Sequence, residues 1–443
     1  MTEASAAERP RQPFAQRFRD PLQRIRGAAP SLEIDSRMLG MIAALAIIWI
    51  GFNVMSGGLF LTARNLWNLS VQTSVVAVMA SGMVLIIVSR NIDLSVGSIL
   101  GFTGYLMAMI QAVWIPTTFG LGFDQPFTWI ISLLIGLVVG AAIGGLQGFI
   151  VAYGRVPSFI VTLGGLLIWR GLIFELAQGQ TIAPMDKTFA LLGGGPIGSI
   201  GAIPSWIFGL AACAGVTFSL WAGRRRRRKY DFPLRPMWAE VTIGLGSAAL
   251  ILGAVWVANS YAWPASLATQ YAVDHGITEP AGGLQIPTGI AIPVIIMLGV
   301  TIVMTFIATR RRFGRYVFAI GGNPDAAELG GINTRRTIML TYVLMGALCA
   351  IAGAIQAARL NAGVTSAGVQ NELDTIAAAV IGGTSFAGGI GTIPGAVLGA
   401  VVMQSLRSGM VLLRVDSPIQ DIVVGTVLVA AVGLDAFIRR RSA

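Results

Sequence analysis

The sequence predicts an all-α fold: a polytopic membrane bundle of ten to twelve transmembrane helices, some of them discontinuous, with the N- and C-termini cytoplasmic. Three observations carry that expectation. Hydrophobic residues make up 55% of the 443 residues and charged residues only 12%, against about 25% charged in soluble domains. Apolar stretches long enough to cross a bilayer, about 20 residues at 1.5 Å rise each, recur from Met38 almost to the C-terminus. Lys and Arg fall between those stretches in alternate loops, the bias of cytoplasmic loops. The domain plan is a polar tail over residues 1–37, one membrane domain over 38–438 and a short basic end over 439–443.

Candidate spans occupy residues 39–55, 70–88, 96–115, 129–153, 157–176, 205–222, 239–258, 286–308 and 338–357. Beyond these the pattern breaks. Leu373–Gly391 is interrupted by glycines, as a discontinuous or re-entrant helix would be, and fuller stretches follow at 393–413 and 418–438. With the tail inside, 25 of the 31 Lys and Arg residues fall on the cytoplasmic side, and only Arg64, Arg170, Lys187, Arg359, Arg407 and Arg414 do not. Arg439, Arg440 and Arg441 also belong inside, so the number of crossings is even, ten or twelve.

Several function classes drop out. The net charge of +11 sits in interspan loops, so it needs no nucleic acid to explain it. Cys213 and Cys349 both lie inside apolar runs, which leaves no disulfide framework or metal quartet. The loop from Asn259 to Gln285 holds Asp274, His275 and Glu279 but no Lys or Arg, which suits the outer face; one His without a His/Cys cluster predicts no metal site. The run Arg224–Lys229 reads as a topological signal, with an anionic-lipid site as the alternative. The N-terminal tail is too long for a signal peptide's charged region and no small-residue cleavage site follows it.

No P-loop pattern occurs, so the chain is not expected to hydrolyse ATP itself. The stretch Gly382–Gly391 resembles a phosphate cradle only superficially, lacking the Lys and a preceding soluble strand; it suits close helix packing or a helix break. The loop Gly321–Asn333 is more informative. Asn323 can cap, Pro324 suits the first helical position, Asp325 and Glu328 suit the positive helix start, and Gly330 and Gly331 can end it. A link between two spans needs no such punctuation, whereas a loop that docks on a partner gains from a rigid helix with small residues, here Ala326 and Ala327, at its contact face.

This loop, with Arg335, Tyr342, Gly346, Ala350 and Ala352–Gly353 after it, resembles the coupling loop and following span of permeases in the ribose/xylose class of ATP-binding-cassette sugar importers. Asn91–Ser98 and Val156–Gly164 agree with the same class, and the resemblance runs with interruptions from about residue 40 to 438. It is nearest to the xylose branch: Gln147 stands in the Gly145–Gly148 turn, Trp169-Arg170-Gly171 follows, and an extra apolar pair lies between Ser205 and Ala258. The resemblance implies a bacterial inner-membrane, multi-pass permease, a homodimer with its pathway at the subunit interface. A cytoplasmic ATPase would dock on Asn323, Pro324, Asp325, Ala326, Ala327, Glu328 and Gly331, and a periplasmic sugar-binding protein would deliver D-xylose or a related pentose. No cofactor of its own is implied, ATP being held by the partner.

A charge at the bilayer centre costs about 3 kcal/mol or more, and Asp93, Arg170, Glu175, Glu372 and Asp374 all sit near the ends of apolar runs. Arg170 and Glu175 suit interface snorkelling as well as a pathway role, and Asp93 suits either a helix cap or a substrate contact. A neutral, hydroxyl-rich sugar needs weak, exchangeable hydrogen bonds, and the candidate pathway residues are Asn68, Asp93, Ser95, Gln147, Ser158, Phe159 and Thr162. The alternative is an ion-coupled secondary transporter, which would show ionisable residues deep in its spans and paired repeats. A membrane enzyme would need a catalytic constellation that the sequence does not offer.

Overall fold

Helices pass back and forth between two faces, and the order in which the linkers appear fixes which face carries which chemistry. The computed structural model describes residues 36–277 and 283–442, with side chains over 38–277 and 283–433. The tail expected over 1–37 therefore lies almost wholly outside the described residues, as do Glu279 and the side chains of Arg439–Arg441. The first half of the chain comprises α1 (Ser36–Met55), α2 (Ala63–Val88), α3 (Val96–Met109), α4 (Thr128–Ala152), α5 (Ser158–Ala177) and a short α6 (Lys187–Ala190). Then come α7 (Ala202–Lys229), α8 (Met237–Ser260), α9 (Ala265–Asp274), α10 (Ile292–Arg310), α11 (Arg312–Gly322), α12 (Pro324–Leu329) and α13 (Thr334–Leu360). The last three are α14 (Asn371–Ile381), α15 (Ile393–Leu412) and α16 (Ser417–Ser442).

Among the described residues ten helices are long and apolar enough to cross a membrane, and α16 adds an apolar stretch over Ser417–Gly433. The twelfth pass is the broken one. Helix α14 has only 11 residues, about 16 Å at 1.5 Å per residue, half of a bilayer's hydrocarbon core of about 30 Å. The glycine-rich segment behind it completes the crossing, with Gly383, Gly388 and Gly389 at positive φ, a conformation that closes off a helix.

Helix α2 is the axis of the bundle, 94% buried, while α1 is 0% buried over its apolar window at almost equal hydropathy. Hydropathy cannot separate the two, because lipid and protein interior are equally apolar. Small polar residues do separate them. Thr73, Ser74 and Ser81 are buried in α2, and the serines turn their hydroxyls onto their own helix, Ser74 Oγ to Ser70 O at 2.9 Å and Ser81 Oγ to Ala77 O at 2.8 Å. Helices α10, α13, α14 and α15 surround α2.

The tightest contact is between α4 and α13. Helix α4 places Gly136, Gly140, Gly144 and Gly148 four residues apart, on one face. A Cβ at Gly144 would collide with Tyr342 O, one at Gly140 with Gly346 O, and one at Gly346 with Gly140 O. Backbones in van der Waals contact are what hold membrane helices together where lipid removes the hydrophobic drive. By contrast α7 and α8 pair chiefly with each other, and α8 touches α2. Helix α7 runs past its expected end at 222 through the basic run to Lys229. There Arg224 pairs with Glu240 at 2.8 Å and Arg225 lies over Trp221.

One face of the bundle is woven from the linkers 56–62, 119–127, 178–201, 261–277, 283–291 and 361–370. Bridges join Ile182 to Gly363, Ser199 to Ala291, Gly201 to Gly289 and Ala262 to Pro287, and Trp67 Nε1 donates to Gly289 O at 2.8 Å. Helix α3 reaches this face through a π-helical turn, Ile110–Thr118, which houses Pro116; the wider turn accommodates a residue without an N–H. Buried Gln111 there donates to Ser132 Oγ at 2.8 Å and accepts from Asp186 N at 3.2 Å. His275 stacks on Tyr271 at 4.0 Å. The opposite face carries the basic linkers, Arg90, Arg155, Arg224–Lys229 and Arg310–Arg315.

Gly144→Ala should lower thermal stability by about 1–3 kcal/mol, the usual effect of overpacking. Gly215→Ala, where a Cβ meets nothing, should be neutral or stabilising by up to about 1 kcal/mol. Loss of the monodisperse peak on heating in detergent reads both.

Candidate coupling and translocation site

The capped helix expected after Gly322 is present as α12. Asn323 Oδ1 accepts from Ala326 N at 3.0 Å, Pro324 takes the first helical position, and Gly330 and Gly331 end the turn, Gly331 at φ 81°. Ala326 and Glu328 face outward. Ala327 does not: it is 6% exposed and packs on the body of the protein, so the contact face expected to hold both alanines holds only Ala326. The reason is helical geometry, since adjacent residues point about 100° apart. Leu329, which no sequence signal marked, is 90% exposed at the end of the helix.

Arg90 fixes this element to the bundle. Its Nε donates to Gly321 O and its Nη2 to Gly322 O, both at 2.8 Å, the last carbonyls of α11 and hence the negative end of that helix. Three backbones meet here. Gly389 N donates to Val88 O at 3.0 Å, a Cβ at Gly321 would collide with Val88 O, and one at Gly388 would stand 2.5 Å from Gly321 O. The end of α2, the end of α11 and the glycine-rich break after α14 therefore form one joint. The stretch Gly382–Gly391 is both a close-packing surface and a helix break.

From Arg90 the chain turns into α3 through a buried polar cluster. Ile92 N donates to Ser158 Oγ at 3.3 Å, and Thr162 Oγ1 donates to Ser158 O at 2.9 Å with Ile92 O at 3.3 Å. Asp93 is 1% exposed, and its Oδ1 accepts from Ser95 N at 2.9 Å, an Asx turn that starts α3. Ser95 Oγ lies 2.5 Å from Asp93 Oδ1 and 2.9 Å from the amide end of Gln147. A hydroxyl has one proton, so Ser95 Oγ can donate to Asp93 or to Gln147 but not to both, and Gln147 Nε2 makes no hydrogen bond. Asp93 stands in the linker between spans, and burial pushes its carboxyl up to about 6.

Residues 65–432 match the family described as branched-chain amino acid transport system / permease component. The chain belongs to this permease family. It is 39% identical over 409 residues to the xylose transport system permease protein XylH of Escherichia coli (strain K12), covering 92% of this chain and 94% of that one. A XylH of Haemophilus influenzae is 38% identical over 397 residues, covering 89% and 95%. The ribose import permease protein RbsC of E. coli (strain K12) is 32% identical over 395 residues, covering 89% and 92%. No solved structure matches. With ten membrane-length helices, this permease is a multi-pass protein of the bacterial inner membrane.

The permease brings together five of the seven pathway candidates, Asp93, Ser95, Gln147, Ser158 and Thr162, beside the basic face. Phe159 points outward, 51% exposed. Asn68 is apart, 20 residues up α2 from Val88, about 30 Å along the axis. A groove on the basic face connects the cluster to α12, lined by Arg90, Arg155, Ser158, Glu328 and Arg335. Arg170, which suited either snorkelling or a pathway role, donates to Ala367 O at 2.8 Å and Thr365 O at 3.3 Å, holding the turn before α14.

Sequence reasoning missed a second polar site near the opposite face, where Asp374 of α14 and Arg407 of α15 form a buried ion pair at 2.6 Å. Residues 33 apart carry no spacing signal, and only the folded bundle joins them. The shared charge offsets part of the expense of burying either group.

Arg90→Gln should leave insertion intact while speeding amide hydrogen exchange over residues 321–331 about fivefold, corresponding to roughly 1 kcal/mol for a partly exposed charge-assisted pair of bonds. Exchange measured by mass spectrometry in detergent checks it.

Proposed function

We propose that this permease is the membrane-spanning subunit of an ATP-driven importer that carries D-xylose or a related pentose into the cytoplasm. The observation that carries the coupling half of the reading is α12. A six-residue capped helix that keeps a leucine 90% exposed, and is clamped through Arg90 to the end of the central helix, suits a push from a partner better than a simple connection. The sugar half rests on the relatives, whose xylose permeases align over nearly the full length of both chains.

The basic face is then the cytoplasmic one, with both termini on it. The chain has no P-loop, so ATP binds a separate ATPase, one copy of which docks on residues 323–331 of each permease subunit. A periplasmic sugar-binding protein delivers the substrate to the woven face. A second copy of the permease completes the pathway; on the outward side of α5, Gly164 and Gly171 meet nothing within 4 Å between exposed Leu163, Leu167 and Phe174, room for a close helix approach. ATP-driven closure of the two motors shifts the permease between conformations by as much as α12 contacts one state better than the other.

The Asp374–Arg407 pair is the observation that favours an ion-coupled secondary transporter, in which buried charges do the coupling. Reconstitution separates the two. With ATPase and binding protein in proteoliposomes, D-xylose uptake should require ATP, and Glu328→Arg should cut it at least about tenfold with insertion unchanged. Undiminished uptake in that variant removes the coupling assignment, and gradient-driven uptake by the permease alone removes the importer reading.

A further inference from the structure

The cavity at the start of α14 is unassigned by any of the foregoing. It holds about 140 Å³ and is lined by Gln72, Gln356, Arg359, Asp374, Gln404 and Arg407, with Val75 and Val76 of α2 against it. Gln72 lies nine residues inside α2, about 14 Å along the axis from its start, so the cavity is sunk into the woven side of the bundle. It exists because α14 is short and begins below the surface that full-length helices reach. Gln370, just ahead of it, is tied to Asp421 of α16 at 2.8 Å.

One feature of the lining points to a ligand. Asp374 is 2% exposed; its Oδ2 meets Arg407 Nε at 2.6 Å in an ion pair, whereas its Oδ1 meets no aligned donor although the Gln404 amide stands beside the carboxylate. A buried acceptor short of a partner is expensive unless something supplies the missing donor.

We infer that this cavity is an entry site for a single neutral monosaccharide, occupied before the sugar reaches the deeper pathway; the inference rests on the importer reading above. Amide and guanidinium groups from Gln72, Gln356, Gln404 and Arg359 offer donors and acceptors around the rim, and Asp374 offers a strong acceptor. Vicinal hydroxyls, each both donor and acceptor, match such a mixed set. The two valines present an apolar wall to ring C–H groups. At about 30 Å³ per water, 140 Å³ has room for roughly five waters, the scale of one sugar ring rather than a longer saccharide. With Asp374 paired to Arg407, the lining keeps the single positive charge of Arg359, so an anion is the competing guest that the test has to separate.

The test uses the complete transporter, with ATPase and binding protein, in proteoliposomes. In a Cys213→Ala, Cys349→Ala background, Gln72→Cys is labelled by a small thiol reagent added to the binding-protein side. Saturating D-xylose should slow labelling at least threefold, inorganic phosphate and xylonate should not, and adding Gln404→Leu should abolish the protection while the unprotected rate stays the same. Gln356→Cys reports from another wall should the first variant fail to fold. Xylose transport without protection at either cysteine overturns the site and leaves the importer reading standing; absence of xylose transport by the unmodified complex overturns the importer reading itself. Protection by phosphate or xylonate in place of xylose overturns the assignment to a neutral sugar.

Discussion

Backbone-to-backbone contact between α4 and α13 is the constraint on which the rest of the bundle depends. Lipid tails are as apolar as leucine, so burying apolar side chains gains little inside a bilayer, and close van der Waals fit has to do what water exclusion does in soluble proteins. Gly140, Gly144 and Gly346 allow that fit. With α13 held there, its first turns stand beside α12 and its last turns contribute Gln356 and Arg359 to the cavity. One helix thus spans from the basic face to the woven face.

Polar groups follow the same economy. Near the basic face the hydrogen bonds are made internally: Asp93 to Ser95, Ser95 to Gln147, Thr162 to Ser158. Gln147 Nε2 near the basic face and Asp374 Oδ1 near the woven one stay buried without an aligned partner. An incomplete network invites a rearrangement or a guest, and the permease keeps such a place at each end.

Much of this was legible in the sequence because its signals were local. The span length, the loop charge and the Asn323–Gly331 punctuation each need only neighbouring residues, and α12 appears with the expected cap. The break near Leu373–Gly391 was also local, since glycines at positive φ stop a helix wherever they occur. What stayed hidden was relational. Adjacent alanines cannot both face a partner, yet only the packing of α12 says that Ala327 is the inward one. The spacing of Gly140, Gly144 and Gly148 went unread, because a glycine stripe gains its meaning only from the helix it faces, here α13. Asp374 and Arg407 meet across two helices, and the opposite fates of α1 and α2 come from position in the bundle, which hydropathy does not encode.

The junction of Val88, Gly321 and Gly388 has a mechanical corollary. Soft side chains between moving parts act as springs and dissipate a displacement over short distances; here the peptide planes of Val88, Gly321 and Gly389 lie directly against one another, with the Arg90 side chain packed beside Gly388. Displacement of α12 cannot be absorbed at that point and has to emerge as rotation of whole segments about it. The missing side chains therefore make a fulcrum, stiff in compression and free to swivel.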